Sequence, residues 1–259
     1  MKIIQCRIVG NELLPRDQTE TELSCLKWIV ENGNLINVKN LWVLNNIVDP
    51  AYRAKVISLL KDQDTIEMTL DLKSYHAKKT WDEKVVSLIN INAARNYGVK
   101  YAQKKCDFVV CLDQDCYFLR SEWKSIVRTI EKDQKTNNRK YYGVNSKRIH
   151  IDQIPKSLKD IEIGEAMPIF RHDANQYFNA NIPFGKADKV ELLMRLGYNQ
   201  NSTEITGDLC RTVGSVAHMT FGNNDIMLHK KIREESLTLL MSKLEVTDVK
   251  KIAVRKILM

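Results

Sequence analysis

Two carboxylates one residue apart, Asp113 and Asp115, close the apolar run of "FVVCLDQDCYF" (108–118). Side by side beyond a strand they repel unless a hard cation neutralises them, and carboxylate oxygens are the ligands that Mg²⁺ or Mn²⁺ accepts. An ion held there would bridge to phosphate. The plain alternative is a polar turn, because aspartate is common where strands end. The apolar strand in front of the pair favours the ion, since ligands of open α/β sheets bind beyond the carboxyl ends of the strands.

Such a pair needs a rigid frame behind it. "KIIQCRIV" (2–9) and "NLWVLNNIV" (40–48) are rich in β-branched residues and flank a helical pattern of Leu23, Leu26, Trp28, Ile29 and Val30, which makes a βαβ unit. Asp49 and Pro50 stop the second strand and open a helix through Leu60, followed by a short strand near 65–70. The stretch 71–86, containing "YHAKKTWDEK", has no clear period and reads as a mobile, charged connection. From Asn90, Ile91, Ala94, Gly98 and Tyr101 or Ala102 recur at helical spacing, and the helix ends near Lys104 and Lys105, where cations suit the dipole. After Asp107 the strand is continuously apolar through Leu112, as in a parallel sheet covered on both faces.

A helix over 123–133, the turn "KTNNRK" and a strand at "YYGVNS" continue the alternation. "EAMPIFR" and "SVAHMTFG" read as strands and "KADKVELLMRLG" as a helix closed by Gly197; a Lys-rich amphipathic helix or pair spans 230–258. The expected fold is α/β: an open, Rossmann-like mixed sheet flanked by helices, with a helical C-terminal region.

Composition narrows the partners. The chain has 259 residues, 44% hydrophobic and 28% charged, and a formal net charge of +8, which favours an anionic partner such as a nucleotide or nucleic acid, the plain alternative being a lysine-rich, soluble surface. No apolar run reaches the roughly 18 residues of a membrane span, so a cytoplasmic protein is expected. The six cysteines form no CxxC pair and read as reduced structural thiols.

"AARNYGVKYA" followed by "FVVCLDQD" resembles the helix and DxD segment of GT-A glycosyltransferases, enzymes that use nucleotide sugars on a single Rossmann-like domain. "CRIVGNELLPRD" is similar to their first strand and base-binding loop, and "GEAMPIFRHDA" with "PFGKADKVELLMRLG" to their acceptor side; the likeness spans about 1–200 and is clearest at 90–116. It implies one GT-A-like domain over 1–259, with a nucleotide-sugar half (1–120), an acceptor half (121–229) and a helical C-terminal region (230–259). It further implies a nucleoside-diphosphate sugar donor, a UDP-sugar first, with Mn²⁺ or Mg²⁺.

Residue by residue, the resemblance puts Asp113 and Asp115 on the metal, Asp115 the more direct ligand, with His218 or His229 as a further ligand. Arg95 and Asn96 would meet the nucleotide or its phosphates, and Arg7, Asn11 and Arg16 would line the base pocket. Glu165 and Asp173 are the candidates for a base on the acceptor hydroxyl. Each has a plain alternative: a surface ion pair for Arg95, a place inside the strand for Arg7, a structural role for either histidine, a helix cap for either acid.

Bacteriophage enzymes that decorate hydroxymethylpyrimidines are similar in size and charge, which implies a hydroxymethylated base in duplex DNA as acceptor and the host cytoplasm as location. Base flipping would then call on "RKYYGVNSKRIH", with Tyr141, Tyr142, Lys147, Arg148 and His150. A saccharide or glycolipid acceptor is the alternative. A nucleotidyltransferase would share the sheet and the metal, but "VGNELLPRD" has one glycine where a phosphate loop wants several. An inactive nucleic-acid-binding scaffold would have no use for the carboxylate pair.

Overall fold

The structure is a computed structural model that describes residues 1–13, 19–150, 155–161, 163–185, 189–197, 209–220 and 232–244. The first half comprises β1 (Ile3–Val9), α1 (Thr19–Asn32), β2 (Val38–Asn45), α2 (Pro50–Leu59), β3 (Asp64–Met68), α3 (Leu72–His76), α4 (Trp81–Ile89), α5 (Ile91–Gln103) and β4 (Phe108–Asp113). The second comprises β5 (Cys116–Tyr117), α6 (Arg120–Thr136), β6 (Tyr141–His150), β7 (Ile163–Arg171), α7 (Val190–Arg195), β8 (Cys210–Thr220) and a helix over 232–244, α8.

The strands form one sheet in the order β3-β2-β1-β4-β7-β6-β8-β5. The first four are mutually parallel, β7 runs antiparallel to β4 and to β6, β8 runs parallel to β6, and β5 returns antiparallel on β8. The open mixed α/β sheet flanked by helices is therefore as the sequence predicts. Every residue of β1 is buried, in keeping with its apolar run and central place.

Helix α5 covers one face, setting Ala94, Val99 and Ala102 against Cys6, Val43, Val109 and Cys111. Gly98 makes the approach this close: a Cβ there would collide with Cys6 Sγ and lie 2.7 Å from Val43 Cγ2. On the other face α6 packs Trp123, Ile126 and Ile130 against Phe108, Val110 and Leu112. Helix α8 lays Leu237, Leu240, Met241 and Leu244 on Leu13, Tyr75, Val85 and Leu88.

The stretch 71–86 departs from expectation by forming α3 and the first two turns of α4. Asp71 caps α3 by accepting from Ser74 N at 3.2 Å. Thr80 and Glu83 close a capping box on α4, which turns Val85, Leu88 and Ile89 inward. Helix α6 starts at Arg120, three residues before the expected position, and the expected 186–197 helix is described only as the short α7. All six cysteines are free and buried. Among the described residues no helix is long and apolar enough to cross a membrane.

Candidate active site

Strand β4 carries Asp113 to the carboxyl edge of the sheet, and the chain turns through Gln114 and Asp115 into β5. β5 pairs with β8 so that Cys116 stands opposite His218, and Met219 N–H donates to Asp115 O at 3.0 Å. This pairing brings together residues 103 apart: His218 Nε2 lies 3.1 Å from Asp115 Oδ2. The Asp115 carboxylate pushes the His218 imidazole above its ordinary value against the opposing effect of burial.

The two carboxylates do not share one role. Asp113 Oδ1 accepts from Arg95 Nη2 at 2.7 Å and Asp113 Oδ2 from Lys189 Nζ at 2.7 Å. Both cations are buried, at 4% and 8% side-chain exposure. Burial pushes the Asp113 carboxyl up, but the Lys189 ammonium and Arg95 guanidinium outweigh it and hold it well below the usual carboxylate range. Lys189 also reaches Glu165 Oε2 at 2.9 Å. Burial raises Glu165 too, and Lys189 again prevails, leaving it ionised below its ordinary value.

Asp115, Cys116 and His218 set their potential ligand atoms within 4.8 Å of one another. Cys116 is fully buried, its thiol pushed well above the ordinary value by burial. It stays S–H and donates to Asp115 Oδ1 at 3.7 Å. The donor set that remains is one carboxylate and one imidazole, both partly open to solvent, which fits a divalent cation completing its shell with oxygens from elsewhere.

Several expected residues have other duties. Arg95 is buried on Asp113, oriented by Asn92 Oδ1 at 2.9 Å and by the Phe178 ring. Asn96 pins the Phe178 backbone through both ends of its amide, at 2.8 and 2.9 Å. Asn11 ties the loop after β1 to the one after β2, donating to Asn46 O and accepting from Val48 N at 2.8 Å each. Arg7 is wholly buried inside β1. Asp173 pairs with Arg171 and Lys140, which hold it well below the usual range. Since Arg171 stands opposite Phe108 at the start of β4, Asp173 lies at the opposite edge of the sheet from Asp113 and Asp115.

The acceptor stretch is likewise inside. Tyr141 and Tyr142 are buried, the first accepting from Asn175 and Gln176 N–H at 2.9 and 2.6 Å, the second donating to Asp133 at 3.0 Å. Lys147 is buried on Ile161 O at 2.5 Å. Neither ring can stack on a base, because β6 is an interior strand with helices and loops over both faces. Arg148 and His150 stay exposed, and Arg148 is the register partner of His218. Arg16 and His229 lie outside the described residues. Sequence reasoning missed Lys189, which comes 76 residues after the carboxylate it neutralises.

Residues 64–186 match the model of a family described as glycosyl transferase family 2. The match covers just under half of the chain and supports glycosyltransferase as its enzyme class. The matched segment runs from β3 past β7, so it takes in Arg95, Asp113, Asp115 and Glu165 and leaves His218 and Lys189 outside. No curated protein matches the sequence.

Among solved structures, a protein from Desulfovibrio desulfuricans G20 described as a nucleotide-diphospho-sugar transferase is similar at 11% identity and a TM-score of 0.43, over 92% of this chain and 98% of its own. The mannosyltransferase PcManGT from Pyrobaculum calidifontis, in complex with GDP-Man and Mn²⁺, is similar at 11% identity and a TM-score of 0.44, over 90% of this chain and 60% of its own. Likeness at this level bears on neither the reaction nor the ligand of this chain.

Proposed function

We propose that this glycosyltransferase moves a sugar from a nucleoside-diphosphate sugar to a hydroxyl acceptor, with a divalent cation held by Asp115 and His218 on the donor's diphosphate. The observation that carries the reading is the Asp115–His218 pair, 3.1 Å apart at the carboxyl edge of the sheet, beside an Asp113 whose charge is already neutralised. The ion would supply positive charge to the diphosphate as it leaves. An imidazole nitrogen in the donor set favours Mn²⁺ over the harder Mg²⁺. Arg148, exposed and the register partner of His218, would meet phosphate oxygens that the ion leaves free.

Glu165 would take the proton of the acceptor hydroxyl; in favour of this reading, it is about half-exposed, held beside Asp113 by Lys189, and kept below its ordinary carboxyl value by that ammonium. Nothing in the cluster selects uracil over another base, so UDP is the first probe and not the conclusion. A hydroxymethylated base in DNA as acceptor has the net charge of +8 in its favour and no exposed aromatic platform at 141–147. A saccharide hydroxyl needs no such platform and is the simpler acceptor.

The test is thermal unfolding with UDP, GDP and other nucleoside diphosphates, each with Mn²⁺ or with chelator. At least one nucleotide should raise the unfolding temperature only when Mn²⁺ is present, and His218→Ala should remove that increment. Equal stabilisation with and without metal would end the metal part of the reading.

A further inference from the structure

Arg7 sits in the middle of the buried strand β1 with none of its side chain exposed. Its register partners are Trp42 and Leu112, so it shares their face of the sheet. Taking an arginine into such a core is costly unless its donors are met, and its Nε finds no acceptor among the described residues. Both amino groups of the guanidinium are engaged. Nη1 donates to the carbonyls of Cys116 and, at 3.5 Å, Asp113; Nη2 donates to Gln5 Oε1 at 3.0 Å. The guanidinium carbon lies 5.6 Å from the centre of the Trp42 ring. Burial pushes the group down to about 10, so it remains a cation near neutrality.

The two carbonyls are the first and last of the turn 113–116, the segment that carries Asp115. The carbonyl of Asp115 itself is fixed from the other side by Met219 N–H. We propose that Arg7 is a positioning residue: by joining the two ends of this turn from beneath, it sets where the Asp115 carboxylate stands relative to His218. The inference rests on the reading that this pair holds the metal.

Geometry and simple electrostatics make opposite demands here, which permits a clean test. A cation beneath a cation site repels the ion, so removing it by charge alone would tighten metal binding. If Arg7 acts by holding the turn, removing it must loosen binding. A purely structural arginine would lower stability and leave the affinity of the folded protein unchanged.

The experiment titrates the full chain with Mn²⁺ alone, following the resonance of the free ion, and measures urea unfolding in parallel. Arg7→Met should weaken Mn²⁺ binding by about 10- to 100-fold, the range for groups that orient metal ligands. Arg7→Lys, which keeps the charge but not the fork, should fall between it and the unsubstituted chain. Unchanged or tighter Mn²⁺ binding in Arg7→Met would overturn the proposal even if stability fell. Should Arg7→Met fail to fold, Gln5→Leu removes the anchor of Nη2 without touching the turn; it should weaken binding several-fold, and unchanged binding would overturn the proposal. Asp115→Asn separates the two claims: if it abolishes binding while Arg7→Met does not affect it, the metal reading stands and the Arg7 inference falls. If the unsubstituted chain binds no Mn²⁺, both fall.

Discussion

Asp113 and Asp133 are both drawn out of solvent and both ringed by cations, at opposite edges of the same sheet. Asp113 meets Arg95 and Lys189 at the carboxyl end of β4. Asp133 lies on α6 beneath the starts of β6 and β8, where it takes hydrogen bonds from Tyr142 at 3.0 Å, Asn137 at 2.8 Å and Arg211 at 2.8 Å, and pairs with Arg139 at 3.4 Å. In composition the two clusters are nearly interchangeable. What separates them is their setting: Asp133 is completely closed off and its donors all come from the elements it staples, whereas Asp113 adjoins a half-open carboxylate and imidazole with coordination to spare. A neutralised buried carboxylate is thus a structural motif at either edge, and only its neighbour makes one of them a candidate site.

The largest effect that tests this contrast is on Asp113. In Asp113→Asn the Lys189 ammonium and the Arg95 guanidinium lose the carboxylate they share, so unfolding in urea should show a loss of about 3–5 kcal/mol, the range for breaking a buried pair from one side. Adding Lys189→Met should restore part of it. A variant as stable as the unsubstituted chain, but unable to bind Mn²⁺, would make Asp113 a ligand and dissolve the distinction.

Asp115→Asn should give the complementary result. Its carboxylate is partly exposed, so stability should change by less than about 1 kcal/mol, while Mn²⁺-dependent turnover of a nucleotide sugar falls by at least ~100-fold. Comparable losses of stability in both variants would mean that the turn is one structural unit without a division of labour.

Most of the frame was legible because strong periodicity wrote it. The apolar run ending at Asp113 and the helical spacing from Asn90 place strand and helix with little ambiguity. Helices α3 and α4 were hidden by their shortness, although the cap formed by Thr80 and Glu83 was a readable sign. The site was legible only as far as it is local. His218 gains its position from the pairing of β5 with β8, and Lys189 from a crossing that brings α7 over β7, so neither leaves a pattern in its own neighbourhood. Tyr141, Tyr142 and Lys147 misled for the converse reason. Aromatic and basic residues on a strand resemble a binding surface, but here Asp133, Ile161 and the backbone at 175–176 give each polar end an internal partner.

The smallest effect concerns Asp133 and depends on pH. Burial pushes this carboxyl up, but the hydrogen bonds from Asn137, Arg211 and Tyr142 outweigh it and leave the folded value below the ordinary one. A group depressed on folding contributes stability above its unfolded value, about 3.9, and loses that contribution as pH falls through the folded value. Asp133→Asn should therefore cost about 1–3 kcal/mol at neutral pH, the scale of hydrogen bonds to a charged group. Arg211 is about half-exposed and free to turn toward solvent, which keeps the cost below that at Asp113. The gap between variant and unsubstituted chain should narrow below pH 4, and Mn²⁺ affinity measured on the folded variant at neutral pH should not move. A gap constant with pH would remove the charge from the explanation, and a weakened Mn²⁺ affinity would show that the two edges of the sheet are coupled.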